Sequence, residues 1–403
     1  MKRRSSLCSY LAGAAAARLG DDMSGPALML AGFALTGSAA EASSLLAGIT
    51  VSAAVGGPVL GALLDRTGRP GRMLSGAIAL YAAGLALILL GLGHVPFTVT
   101  IVIAVVTGLL GPALSGGWTA QLPRVVTGDR LARANALDAM TFGAASLAGP
   151  ALTGGAAAAL GAPAAVVVAA ALIALALPAA WTLPARPARA PDARRASLGR
   201  DLAAGIRVIA GKRLLARATL VSVVCCAAEG MLTACLPLLG ERVLGGPNQG
   251  VMLLSCAAIS ALAANALLAR FPRALAPDTV VWVSALVQAA ALALAAVGRP
   301  AVLIVAVVVA GIGQGPQLAA LFAVRHREAP DSLRGQIFTT GASLKITGFA
   351  VGAAIAGPVA AWSLPGALIL ASVLAAVAVP AAFTIPLGDV DAWRERPADR
   401  VRH

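Results

Sequence analysis

The sequence predicts an all-α integral membrane protein of twelve spanning helices, arranged as two pseudo-symmetric bundles of six. Three observations carry this. The 403 residues are 59% apolar and only 12% charged, with a mean hydropathy of +0.86, whereas a soluble domain is about half apolar and about a quarter charged. Runs of about twenty residues almost free of charge recur along the chain, the length a helix needs to cross a bilayer. Basic residues gather in alternate loops, as the positive-inside rule requires.

The spans fall near 9–35, 43–64, 73–92, 97–120, 134–160 and 162–183, then near 214–239, 250–269, 279–298, 300–323, 335–361 and 365–386. The opening segment, MKRRSSLCSYLAGAAAARLG, has the basic start and apolar centre of a signal peptide. The apolar pattern resumes after Asp22 and runs to Leu35, however, so it reads as the first span. With alternate loops taken as inner, 26 of the 31 lysines and arginines lie in the termini and inner loops; the outer loops hold only Arg242 and Arg299, and Arg18, Arg217 and Lys345 fall inside spans. Both termini are therefore expected in the cytoplasm.

The domains read as an N-terminal bundle over 1–183, a cytoplasmic linker over 184–213, a C-terminal bundle over 214–388 and a cytoplasmic tail over 389–403. The linker opens with Pro184, Pro187 and Pro191, then sets Leu198, Leu202, Ile206 and Ile209 on one helical face. That face suits either a helix lying on the membrane or a solvated linker helix. An internal repeat links the two halves. Residues 108–136 and 311–338 each carry Gly-Pro in a span, then a basic turn, then an arginine opening the next helix.

Several classes are disfavoured. A net charge of +14 suggests nucleic acid, but aromatics make up 4% and no basic stripe sits on a soluble domain. Three lysines stand beside 28 arginines, read as genome composition rather than guanidinium chemistry. Cys8, Cys225, Cys226, Cys235 and Cys256 lack zinc or CxxC spacing. His94, His326 and His403 fall in predicted loops or at the end, so no metal site is expected. GIRVIAGKR (205–213) misses the phosphate-loop spacing, with five residues between its glycines and no Ser or Thr after the lysine. No nucleophile–base pair points to an enzyme, and no ATP, cofactor or nucleic-acid partner is expected.

The stretch GALLDRTGRPGR, residues 61–72, forms the turn after the second span. Gly61 permits close helix approach. Asp65 sits at a helix C-terminus, where the dipole disfavours an anion, so it needs a holder: a nearby arginine or the N-terminus of another helix. Gly68, Pro70 and Gly71 shape the turn, while Arg66, Arg69 and Arg72 supply counter-charge.

These residues resemble the second-to-third-span loop of the major facilitator superfamily, G-x-L-x-D-R-x-G-R-(K/R). Gly61, Leu63, Asp65, Arg66, Gly68 and Arg69 match in order; Pro70 departs at the next basic position, where Arg72 stands in. RLGDDMSGPALMLAGFALTGS and LPRVVTGDRLARANAL also look like bacterial drug-efflux-type members. The resemblance implies that Asp65, Arg66 and Arg69 form a cytoplasmic latch, closed when the transporter faces outward. It also points to the bend motif of antiporters, G-P-x-x-G-G. This chain has Gly149, Pro150, Gly154 and Gly155, with one extra residue that turns the final glycines by about 100°.

Charges within spans are costly and tend to face a cavity or a partner. Asp21 and Asp22 lie about eleven residues, or roughly 17 Å, into the first span. Glu229 lies at similar depth in the seventh, the corresponding first helix of the second half. Asp21 and Glu229 each precede a glycine, Gly37 or Gly245, by 16 residues. These acids are the candidate proton carriers, with Arg18, one turn before Asp21, as a tuning cation. The plainer reading puts Arg18 and Asp22 at a cytoplasm-facing helix end. Lys345 either pairs with an acid or attracts an anionic substrate, and Asp138 is expected at the inner mouth. Candidate cavity residues are Trp118, Gln121, Gln288, Gln314 and Gln317. With so few fixed polar partners, the cavity suits an amphiphilic or hydrophobic compound better than a sugar.

The expected function is proton-coupled efflux of such a compound by alternating access. The proton gradient would supply the energy, with a monomer working in a bacterial cytoplasmic membrane and the lipid bilayer, protons and a small molecule as partners. Alternatives are a uniporter or a proton symporter importing a small metabolite, a membrane enzyme, or a non-transporting sensor.

Overall fold

The computed structural model describes residues 2–185, 198–245, 247–271 and 275–384. The tail 389–403 and the start of the linker, with Pro187 and Pro191, lie outside these residues. The first six spans correspond to α1 (Lys2–Thr36), α2 (Ala39–Arg66), α3 (Pro70–Gly91), α4 (Phe97–Gly108), α5 (Arg130–Leu160) and α6 (Ala162–Leu175). The linker holds α7 (Leu198–Gly211). The second six are α8 (Arg213–Leu239), α9 (Pro247–Arg270), α10 (Pro277–Ala295), α11 (Pro300–Glu328), α12 (Arg334–Trp362) and α13 (Leu364–Phe383).

Among the described residues, ten helical stretches are long and apolar enough to cross a membrane. The two long helices outside that set are α1, with Arg18, Asp21 and Asp22, and α5, with Asp138. Their charges lower the hydropathy, and those charges are the ones brought together below.

The fourth span departs most from expectation. It breaks after α4 at Leu109–Pro112, continues as a wide-turn segment Ala113–Gly117, and finishes with a short turn at Leu122–Val125. Pro112 has no amide hydrogen to donate, so the regular ladder cannot run through it. The break lets Gly116 lie against the α12 backbone at Phe338. By contrast, α2, α5 and α11 run unbroken through Pro58, Pro150 and Pro316. Several helices outrun their predicted ends. Helix α11 continues to Glu328, which brings Arg325 and His326 inside a helix, and both are buried. His326 is therefore not a loop residue; its ring lies 4.4 Å from that of Phe338.

Each half has its own apolar core. One cluster runs from Tyr10 to Ala180, with Met23, Leu45, Ile78, Leu114 and Val166. Others fill the second half around Met231, Leu292, Val307 and Leu368, and around Val221, Ala285 and Leu321. A further cluster joins the halves, with Ala120, Ala136 and Ala139 meeting Ala269, Ala319, Phe322 and Phe338. The halves also meet where α2 packs along α12, and where α5 packs on α9 and α11. The repeat is visible in the backbone. Gly37 and Gly245, each closing the first helix of a half, are left-handed at φ 68° and 88°, a conformation glycine adopts without a Cβ penalty. Gly93 and Gly298, after the third helix of each half, repeat it at 76° and 68°.

Candidate functional site

The turn at 61–72 lies where the two halves close on each other. The Asp65 side chain is 4% exposed, and its carboxylate accepts hydrogen bonds from the amides of Gly335 (2.9 Å) and Gln336 (2.8 Å). These amides open α12 and lack partners within their own helix, and the positive end of the α12 dipole faces the acid. The N-terminus of another helix, one of the two holders expected for Asp65, does hold it.

Glycines make the approach possible. A Cβ on Gly61 would collide with the Gln336 backbone and the Thr339 side chain; one on Gly57 would meet Thr339 and Ser343. Ser343 Oγ donates to the Ala53 carbonyl at 2.8 Å and accepts from the Gly57 amide at 3.2 Å, extending the seam. Arg66 pairs with Asp201 of α7 at 2.9 Å, while Gln336 Nε2 donates to the Leu202 carbonyl at 3.0 Å. The linker helix is thus fastened to the turn at 61–72 and to the start of α12. Arg69 is exposed and caps the start of α3, and Gly68 borders open space. Arg72 lies over Trp181, 5.2 Å from the ring centroid.

The charged residues in the first half are arranged differently from expectation. Arg18 does not serve Asp21; it pairs with Asp138 at 3.0 Å, both side chains essentially sealed at 2% and 0% exposure. Asp138 is therefore an interior residue rather than one at an open mouth. Its oxygens also accept from Tyr10 Oη at 3.1 Å and Thr119 Oγ1 at 2.9 Å. Arg18 donates further to Thr119 (2.8 Å), to the Asp138 carbonyl (2.8 Å) and to Thr141. Its guanidinium lies 3.7 Å from the Phe142 ring centroid. Burying such a pair is tolerable because most of the remaining donors and acceptors are matched, with Arg18 Nε the exception.

Asp21 turns to α3, where Tyr81 Oη donates to it at 2.8 Å and Ser24 Oγ lies 3.0 Å from the same hydroxyl. Asp22 turns to α5, accepting from the exposed Ser146 at 3.1 Å. Gly149 lies against Asp22 and Met23, giving this glycine of the bend motif its packing role; Gly154 and Gly155 border open space. In the second half, Glu229 of α8 stands 4.0 Å from Cys226 Sγ and within electrostatic reach of Lys345 on α12. Asp21, Asp22, Glu229 and Lys345 are each partly exposed, neither sealed nor fully open.

The neutral cavity candidates fare differently. Trp118 is fully buried against Tyr10, with ring centroids 5.9 Å apart. Gln121 is sealed, its amide donating to the Gly117 carbonyl at 3.1 Å. Gln288 donates to Gln317 at 3.2 Å inside the second half, and Gln317 reaches the Val281 carbonyl and Cys225. These four hold their bundles together and do not line an open space. Gln314 alone of the set keeps partial exposure. A groove of 160 Å³ opens on the second half among Leu214, Arg217, Val221, Asp278, Trp282 and Phe383, and none of the candidate proton carriers lines it.

Three phenylalanines bridge the halves: Phe142 stands 5.7 Å from Phe322, which stands 5.9 Å from Phe338. Arg18 covers one end of this row, and Arg325 lies 5.8 Å from the Phe338 ring at the other. The sequence reading passed over Tyr10, Thr119, Tyr81, Phe142 and Arg325. An aromatic or polar residue in a span looks like core filling until its partner is known.

Residues 10–277 match the Major Facilitator Superfamily. The chain belongs to that family. Among solved structures, the human organic anion transporter MFSD10 (TETRAN) superposes with a TM-score of 0.76 at 16% identity, covering 95% of this chain and 100% of that one. The E. coli fucose:proton symporter FucP gives 0.70 at 17% identity, covering 95% and 98%. A bacterial homologue of the iron transporter ferroportin, in its outward-facing state, gives 0.74 at 13% identity, covering 94% and 99%. No curated protein matches by sequence. As a family member the chain is a transporter of small molecules across a lipid bilayer, not an enzyme, and its twelve-helix, two-bundle architecture is the family's.

Proposed function

We propose that this major facilitator exports a small amphiphilic or hydrophobic compound in exchange for protons, across a bacterial cytoplasmic membrane with both termini inside. Its energy comes from the proton gradient rather than from a bound cofactor, and a monomer is the working unit. The observation that carries the reading is the state of Asp22 and Glu229. Each is a carboxylate at mid-depth in the first helix of a half, partly exposed, with no cation paired to it among the described residues. An unpaired carboxylate in that position is disposed to exchange a proton as solvent access changes. Arg18 is already committed to Asp138, so that pair serves as scaffold.

Alternating access then follows from the latch. Asp65 on the α12 amides, with the Phe142–Phe322 contact above it, holds one end of the molecule shut. Opening that end requires both to break. Direction rests on the drug-efflux resemblance and on the apolar make-up of the spans; a uniporter or a proton symporter importing a small metabolite is the second reading. The test uses the full chain in sealed vesicles with an imposed pH gradient and a pH-sensitive dye. Proton flux evoked by added amphiphiles is expected for the wild type and lost in the double variant Asp22→Asn, Glu229→Gln. Full flux in that double variant would reject the assignment of the carriers.

A further inference from the structure

Arg18 shows what a structural buried arginine looks like in this molecule, with a carboxylate, hydroxyls, a carbonyl and a ring all in contact. Arg325 is just as deeply placed, at 2% exposure, yet where Arg18 leaves only Nε unpartnered, Arg325 leaves both Nε and Nη2 without a hydrogen bond, and no carboxylate pairs with it among the described residues. Its guanidinium lies against the bare Cα of Gly341, where any Cβ would strike it, and beside the Phe338 ring. One turn further along α12, on the same face, stands Lys345, itself without an ion pair among the described residues. Two cations thus project from helices of the second half about one helical turn apart, with Glu229 within electrostatic reach of Lys345. An enclosed, unmatched guanidinium is unfavourable by several kcal/mol unless a counter-ion reaches it.

We infer that Arg325 and Lys345 form the binding site for the anionic head of the transported compound, which is therefore an amphiphilic organic anion of the carboxylate type. This rests on the transporter reading above and narrows its substrate class. Arg325 offers the planar fork that a carboxylate accepts in two parallel bonds, and Lys345 adds a point charge. Phe338 and Phe322 give the apolar body of the ligand a wall to lie against. Glu229 competes with the ligand for Lys345, so neutralising it strengthens anion binding; at this site protonation and anion binding favour each other, the coupling of the symport reading rather than of exchange. An arginine kept only for packing makes no such demand of Glu229.

The experiment measures binding of 2-naphthoate to the full chain in lipid nanodiscs, beside the neutral 2-naphthylmethanol and the cationic 2-naphthylmethylammonium. Naphthoate is expected to bind at least about tenfold more tightly than the alcohol, matching the worth of charge-assisted hydrogen bonds. Arg325→Gln and Lys345→Gln should each remove most of that advantage and leave the alcohol unchanged. Arg325→Lys should keep part of it, and Glu229→Gln should increase it. Should Arg325→Gln fail to fold, Lys345→Gln and Glu229→Gln carry the test. Naphthoate binding no tighter than the alcohol, including none at all, overturns the inference, as does a change that strikes all three probes equally. The dye assay keeps the two readings apart: proton flux that persists while naphthoate selectivity is absent sinks only the anion site. Selectivity that persists without proton flux sinks only the proton coupling.

Discussion

Asp138 and Arg325 are the two residues whose neighbours most change how they are read. Asp138 lies four residues after the predicted start of its span, so by position it looks like a rim residue. The helix begins earlier, at Arg130, which carries Asp138 a further turn inward to Arg18. Removing that carboxylate leaves an enclosed cation, so Asp138→Ala should lower stability by about 3–5 kcal/mol, the usual result of breaking a buried pair. Thermal unfolding in detergent checks it, and the double variant Arg18→Met, Asp138→Leu should recover most of the loss. A double variant no more stable than Asp138→Ala would show that the two groups do not act as a pair. Arg325 was obscured by the same boundary problem: with the tenth span ending at 323, it counted as one more basic loop residue. Identities and spacings singled out the acids at 21, 22 and 229 but not the partners of Asp21 and Asp22, because Tyr81 and Ser146 come from other helices; Cys226 sits one turn before Glu229 on the same helix.

At the scale of the element, α2 and α12 form the seam along which the two halves meet. Its determinants were largely readable in advance: the order Gly61, Asp65, Arg66, Gly68 pointed to a close approach and to an acid needing a holder. Which of the two possible holders it would be lay in a helix some 270 residues away, beyond the reach of local pattern. Gly61→Val should keep the two helices apart by pushing on Gln336 and Thr339. Asp65→Asn removes the charge from two hydrogen bonds, weakening the closed seam by about 1–3 kcal/mol. Both are checked by spin labels at Arg69→Cys and Asp331→Cys, exposed sites on opposite sides of the turn, in a Cys8→Ser background. Each substitution should move the distance distribution toward longer separations; unchanged distributions would mean that the seam is held elsewhere. The clamp from Arg66 to Asp201 is partly solvated, so Arg66→Ala should shift the distribution far less than Asp65→Asn, in keeping with about 1 kcal/mol or less for such pairs.

For the whole molecule, the twelve spans and their grouping were legible because membrane crossing imposes length and apolarity on every helix. The broken fourth span was not, since Gly111-Pro112 reads equally as a bend within one helix. Nor were the cavity assignments of Gln288 and Gln317, which satisfy each other rather than face water. The row of phenylalanines between the halves has a mechanical implication. Its outer members each lie beside an arginine belonging to a different bundle, so a single row of rings is the apolar divider between two enclosed guanidinium groups. Any motion that parts Phe142 from Phe322 must therefore take away a ring that covers Arg18 while leaving Phe322 and Phe338 together on the side of Arg325.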